Sequence, residues 1–146
     1  MVFPNDNGLS HLRGHQQVLL CICNCEETLA IRKLVLEAFG YEVLTTDGID
    51  GINTLGNQPV DLAILDYRAP GTNGELIAIN AKIIQPLTPI LMLVDEPATV
   101  PESVAKLIHA IVTREDSPVH LLEEIARIVQ AESGTSGRVG TAERAA

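Results

Sequence analysis

Three short runs, 18–23 (VLLCIC), 61–65 (DLAIL) and 89–94 (PILMLV), are apolar at almost every position. A strand with one wet face alternates polar and apolar residues. One that does not alternate is buried on both faces, as in a parallel sheet covered by helices on either side. Runs 42–46 (EVLTT) and 110–113 (AIVT) also read as strands. Helical patterns fill the gaps between them. Ile31, Leu34, Val35 and Ala38 follow i, i+3, i+4, i+7, with Gly40 where a C-terminal cap falls. Ser117-Pro118 suits a helix start, followed by Leu121, Leu122, Ile125, Ile128 and Val129 on one stripe, with Glu123, Glu124 and Arg127 opposite. The second helix is weakened by Gly48, Gly51 and Gly56, and a short fourth one is expected around 101–108.

Strands alternating with helices at this spacing predict an α/β fold, a doubly wound (βα)5 flavodoxin-like sandwich with a five-stranded parallel sheet. Right-handed crossovers place helices on both faces. A site should then form at the C-terminal ends of the strands, near the point where the strand order reverses. The 146 residues suffice for one domain. Residues 1–16 read as a flexible N-terminal arm, 17–131 as the domain, and 132–146 (ESGTSGRVGTAERAA) as a disordered tail. Aromatic residues are only 3% of the chain, so the core is built from Ile, Leu, Val and Ala.

Ten Lys and Arg against nineteen Asp and Glu leave a net charge of −9. With no basic cluster, nucleic acid and anionic membranes are set aside as partners. The N-terminus lacks the charged start and apolar run of a signal peptide, and no stretch reaches membrane-spanning length. A cytoplasmic protein is expected. Cys21, Cys23 and Cys25 alternate along one segment. Strand residues at i and i+2 lie about 6–7 Å apart, awkward for a disulfide, and no further Cys or His stands at zinc-knuckle spacing. They are read as reduced structural thiols, with a metal or redox site as the alternative.

The segment DLAILDYRAPGTNGEL (61–76) ends an apolar strand in Asp66, with Pro70 and Gly74 four and eight residues on. It resembles the phosphoacceptor segment of bacterial response-regulator receiver domains (the CheY-like superfamily), LD-x-x-x-P-x-x-x-G. GYEV (40–43), Asp47-Gly48 and the order of strands and helices extend the resemblance over about residues 17–131. It implies that Asp66 is the phosphoacceptor, receiving a phosphoryl group from a histidine kinase. Such chemistry is mostly positioning and charge neutralisation by a divalent cation and a fixed positive side chain. The family places an acidic pair after the first strand to hold Mg²⁺, Ser or Thr after the fourth, and Lys after the fifth.

This chain departs from that pattern as an atypical, degenerate member would. Counting back from Gly40, Cys23 and Asn24 take the acidic-pair positions. Mg²⁺ prefers hard oxygen ligands, which Cys23 does not offer, so a metal would rest first on Asp66 and on Asn24, with one neutral oxygen. Glu26 and Glu27 read as solvated first-turn acids, with reaching into the site as their alternative. Val94 takes the hydroxyl position, followed by Asp95, read as a solvated loop acid or else a ligand. Arg114 aligns with the Lys, keeps its charge, and could pair with Asp66 through two parallel hydrogen bonds. Ile111 stands where the family has an aromatic switch. A conventional site sets three carboxylates against Mg²⁺ and Lys, whereas Asp66 with Arg114 balances with no metal.

The expected function is therefore a receiver-like signalling domain that binds protein partners without phosphorylation. The alternative is a working phosphoacceptor modified at Asp66 by a histidine kinase. A flavin- or nucleotide-binding enzyme on the same sheet would need a phosphate loop after the first strand, and CNCEET (23–28) is a poor one. No catalytic constellation is evident, and His109 and His120 read as ordinary surface or helix residues. The third helix, ELIAINAKIIQ (75–85), carries more apolar residues than one face needs. That reads as a broad buried stripe or as a docking or homodimer surface. The chain reads as a stand-alone adaptor or as a piece of a longer protein.

Overall fold

Five strands form where the apolar runs fall: β1 (Val18–Ile22), β2 (Glu42–Thr46), β3 (Leu62–Asp66), β4 (Ile90–Val94) and β5 (Ala110–Thr113). They are seen in a computed structural model that describes residues 16–67, 74–95 and 100–138. Every strand pairing is parallel, in the order β2-β1-β3-β4-β5. β3 and β4 are buried at every position, as their unbroken apolar sequences require. Helices α1 (Glu26–Ala38), α2 (Gly48–Asn57), α3 (Gly74–Ile84), α4 (Glu102–Ala105) and α5 (Pro118–Arg138) connect and follow them.

Side-chain alternation splits the interior into two layers. Leu19, Cys21, Leu62, Ile64, Leu91, Leu93 and Val112 meet Leu29 and Leu36 of α1 and Ile125, Ile128 and Val129 of α5. Leu20, Ile22, Ala63, Leu65, Ile90, Met92 and Val94 meet Leu55 of α2, Ile77, Ala78 and Ala81 of α3, and Val104 of α4. By the same parity Asp66 shares the face of Leu62 and Ile64, beneath α1 and α5. That parity decides which helices can reach it.

Local chemistry explains the helix ends. α2 forms despite its glycines because the Asp47 carboxylate accepts from the Asp50 amide at 2.9 Å, an N-terminal cap. α1 ends at Gly40, with φ +97°, where Tyr41 N–H donates to Leu36 O and Gly40 N–H to Glu37 O. This is a Schellman closure, which favours glycine at the left-handed position.

Two expectations are corrected. The inward stripe of α1 is Leu29, Arg32, Lys33 and Leu36, whereas Ile31, Leu34 and Ala38 are exposed. The apolar residues of this helix fit two phases. The chosen one has long basic stems that lie on the sheet while their charged heads find partners, Lys33 Nζ on Val43 O at 3.0 Å. The last helix runs on to Arg138, so residues 132–138 are helical, not part of a disordered tail from 132. The boundary at 131 marked the end of the apolar stripe. Backbone propagation needs no new nucleus and continues past it. The arm at 1–15 and the tail from 139 lie outside the described residues.

Candidate functional site

Asp66 is the last residue of β3, held in register opposite Leu93, with the next amide, Tyr67 N–H, donating to Leu93 O at 2.9 Å. It is 2% exposed, one of two buried polar or charged residues among those described. A carboxylate so placed requires charged or hydrogen-bonding neighbours. Two guanidiniums supply them. Arg32 Nη1 lies 3.2 Å from Oδ1, reaching down from α1. Arg114 Nη1 lies 3.2 Å from Oδ2, from the residue after β5, whose amide donates to Val94 O at 2.8 Å.

The expected parallel pairing of Arg114 with Asp66 does not form. Its fork is divided, Nη1 going to Asp66 and Nε to Asp95 Oδ1 at 3.0 Å. Asp95 is thus the second acid of the cluster and not a purely solvated loop residue. Arg32, Arg114, Asp66 and Asp95 together carry two positive and two negative charges. They balance to zero.

Cys23 completes the wall. Burial raises its thiol pKa first, and a hydrogen bond from the thiol to Asp66 raises it further. It follows the end of β1, its amide donating to Thr46 O at 3.0 Å. Asn24, its neighbour at the other acidic-pair position, is exposed, as are Glu26 and Glu27. Val94 packs in the opposite layer with Leu65 and Met92, so it is not brought to Asp66. Ile111 also packs against that layer. Pro70 lies outside the described residues.

The donor set does not fit Mg²⁺. Both Asp66 oxygens face guanidiniums, the nearest position that should offer a carboxylate offers a thiol, and Asn24 is directed to solvent. Among the described residues no group of three His, Cys, Asp or Glu could hold a metal. Arg32 is the site residue that sequence reasoning missed. Its signal was present: it stands three residues after Leu29 and four before Leu36, on the face that those two leucines bury.

The three cysteines are free. Burial pushes the Cys21 thiol up to about 12. Cys25, exposed at the N-cap of α1, is lowered by its side-chain interaction with Thr28 and the nearby amides, although no capping hydrogen bond closes geometrically. Labelling with iodoacetamide should modify one thiol rapidly, with half-maximal rate below the ordinary cysteine pKa, and Cys25→Ser should abolish that phase. Rapid labelling of two thiols in the folded protein would contradict the burial of Cys21 and Cys23.

No family model matches the sequence, and no curated protein matches it either. Solved structures do. A CheY-like receiver domain protein of Methanospirillum hungatei JF-1 superposes with TM-score 0.71 at 20% identity, over 83% of this chain and 98% of that one. A structure described as adenylate cyclase of Rhodopirellula baltica gives TM-score 0.76 at 19% identity, over 86% of this chain and 96% of that one. The response regulator TrrA of Thermotoga maritima, solved with Mg²⁺-BeF, gives TM-score 0.71 at 19% identity, over 77% of this chain and 99% of that one. TrrA has also been solved in complex with the histidine kinase ThkA. These superpositions, together with the five-stranded parallel sheet, show that the chain has the fold of a CheY-like receiver domain.

Proposed function

We propose that the chain is a two-component-type signalling receiver that works by binding a protein partner, without phosphorylation of Asp66 and without catalytic activity of its own. The supporting observation is the engagement of both Asp66 oxygens by Arg32 and Arg114. A carboxylate nucleophile must present a free oxygen in line with the phosphorus atom. Here each oxygen is directed at a guanidinium, and attack would require one ion pair to open. The neutral cluster also removes the reason for a metal: with Arg32 and Arg114 in place, no excess negative charge awaits neutralisation. The site is held in one state by its own side chains. No helix among the described residues is long and apolar enough to cross a membrane, and a cytoplasmic location goes with this reading. The partner is a histidine kinase or another signalling protein.

A second reading is favoured by the same two arginines. Guanidiniums stabilise charge on a transferring phosphoryl group, and a pair of them could stand in for the cation. Asp66 would then be a phosphoacceptor served by a histidine kinase. Incubation with acetyl phosphate, with and without Mg²⁺, followed by intact mass measurement, separates the two. The expected result is an unchanged mass under both conditions. A gain of about 80 Da that disappears in Asp66→Asn would establish the second reading instead.

A further inference from the structure

The two faces of α3 differ less than those of an ordinary surface helix. Gly74, Ile77, Ala78 and Ala81 are buried against the sheet and form the inward stripe. Opposite them, Leu76 is 54% exposed, Ile79 43% and Ile83 70%, and Leu87, just beyond the helix, is 88% exposed. Residues 76, 79 and 83 follow i, i+3, i+7, so they form one continuous outward ridge. A scattered exposed leucine needs no explanation, but an aligned apolar ridge marks an interaction surface.

Charge selects the occupant. The chain carries −9 and most of its surface repels a second copy. The ridge escapes that repulsion, since residues 76–81 (LIAINA) carry no charge. Its flanks are Glu75 at one end and Lys82 at the other, seven residues apart and therefore on the same side of the ridge. In an antiparallel pair of helices related by a two-fold axis, like flanks meet. Each Glu75 then approaches the Lys82 of the other copy, and Leu76 packs against Ile83. Within one copy both side chains already have partners, Tyr67 donating to Glu75 at 3.0 Å and Lys82 to Thr88 O at 2.9 Å and Pro86 O at 3.3 Å, so the contacts between copies add to these.

We propose that a second copy of this chain docks on α3, the two helices antiparallel about a two-fold axis near Ile79. The inference goes beyond the reading of Asp66 and does not depend on its modification. The contact is one helix wide, at the small end of specific interfaces, so the dimer is expected to be weak and reversible.

Sedimentation equilibrium of the full chain over a concentration series tests it, with circular dichroism to check that each variant folds. The expected result is a reversible dimer, weakened about tenfold or more by Ile79→Glu and unchanged by Leu34→Glu on α1. Glu75→Lys should weaken it, and Glu75→Lys with Lys82→Glu should restore it. A monomer throughout, a dimer indifferent to Ile79→Glu, a dimer lost with Leu34→Glu, or a double variant as weak as the single would each overturn the proposal. None of these results alters the mass readout that tests Asp66.

Discussion

Replacing Asp66 by Ala should destabilise the domain by about 3 kcal/mol, equally with and without Mg²⁺. For a domain of this size that corresponds to a fall in melting temperature of roughly 10 °C. The sign discriminates between two kinds of site. Where three carboxylates crowd together without metal, deleting one relieves like-charge repulsion and stabilises the fold. Here the deletion leaves Arg32 with no carboxylate partner among the described residues, and Arg114 with Asp95. The side chains of Asp66, Arg32 and Arg114 are 3%, 14% and 24% exposed, so water compensates only in part. Asp66→Asn should cost less, because its amide oxygen still accepts from one guanidinium. The double variant Asp66→Ala/Arg32→Ala should cost less than the sum of the two single changes, since both remove the same ion pair. Urea titrations give all of these values. A stabilised Asp66→Ala would mean that the two arginines do not hold the carboxylate in solution.

Strand positions and fold class were legible because unbroken runs such as ILMLV leave little choice of environment. Asp66 was legible for the same reason: a charge that ends such a run has to sit at the sheet's C-terminal pole. Arg114 could be counted along the chain to the right place, but its division between Asp66 and Asp95 could not. That division depends on where the loop after β4 carries Asp95, a matter of tertiary geometry. Arg32 was missed through the phase of α1, where Ile31 and Leu34 offered a second stripe as apolar as the correct one. Apolar periodicity treats an arginine as outward-facing. A buried carboxylate below the helix reverses that preference, and that carboxylate lies on β3, outside residues 26–38. The unexpected helical extension to Arg138 has a similar origin, since patterning reports packing and not the persistence of backbone hydrogen bonds.

Gly74→Ala should destabilise the domain by about 1–2 kcal/mol, against the ordinary expectation for glycine in a helix. A methyl group there normally favours the helix by up to about 1 kcal/mol. At Gly74 a Cβ would lie 2.8 Å from Tyr67 Cδ1 and 3.1 Å from both the Cα and the carbonyl oxygen of Tyr67. The ring cannot turn aside freely, because its hydroxyl donates to Glu75 on the same helix. The backbone cannot retreat either, because Tyr67 N–H is bonded to Leu93 O in the sheet. The first turn of α3 must therefore lift, loosening Ile77 and Ala78 from the layer they fill, an overpacking cost of about 1–3 kcal/mol. Gly56→Ala is the matched control. Its nearest foreign atom would be Ile84 Cγ2 at 3.9 Å, ordinary contact, so that variant should be neutral or more stable by about 0.5 kcal/mol. Opposite signs at the two glycines, read as shifts in the urea midpoint, would show that Gly74 serves the close approach of α3 to the end of β3. That approach seats the helix beside the Asp66 pole and presents its outer ridge to solvent. Equal, stabilising shifts at both positions would show that the helix can move off the strand end at no cost.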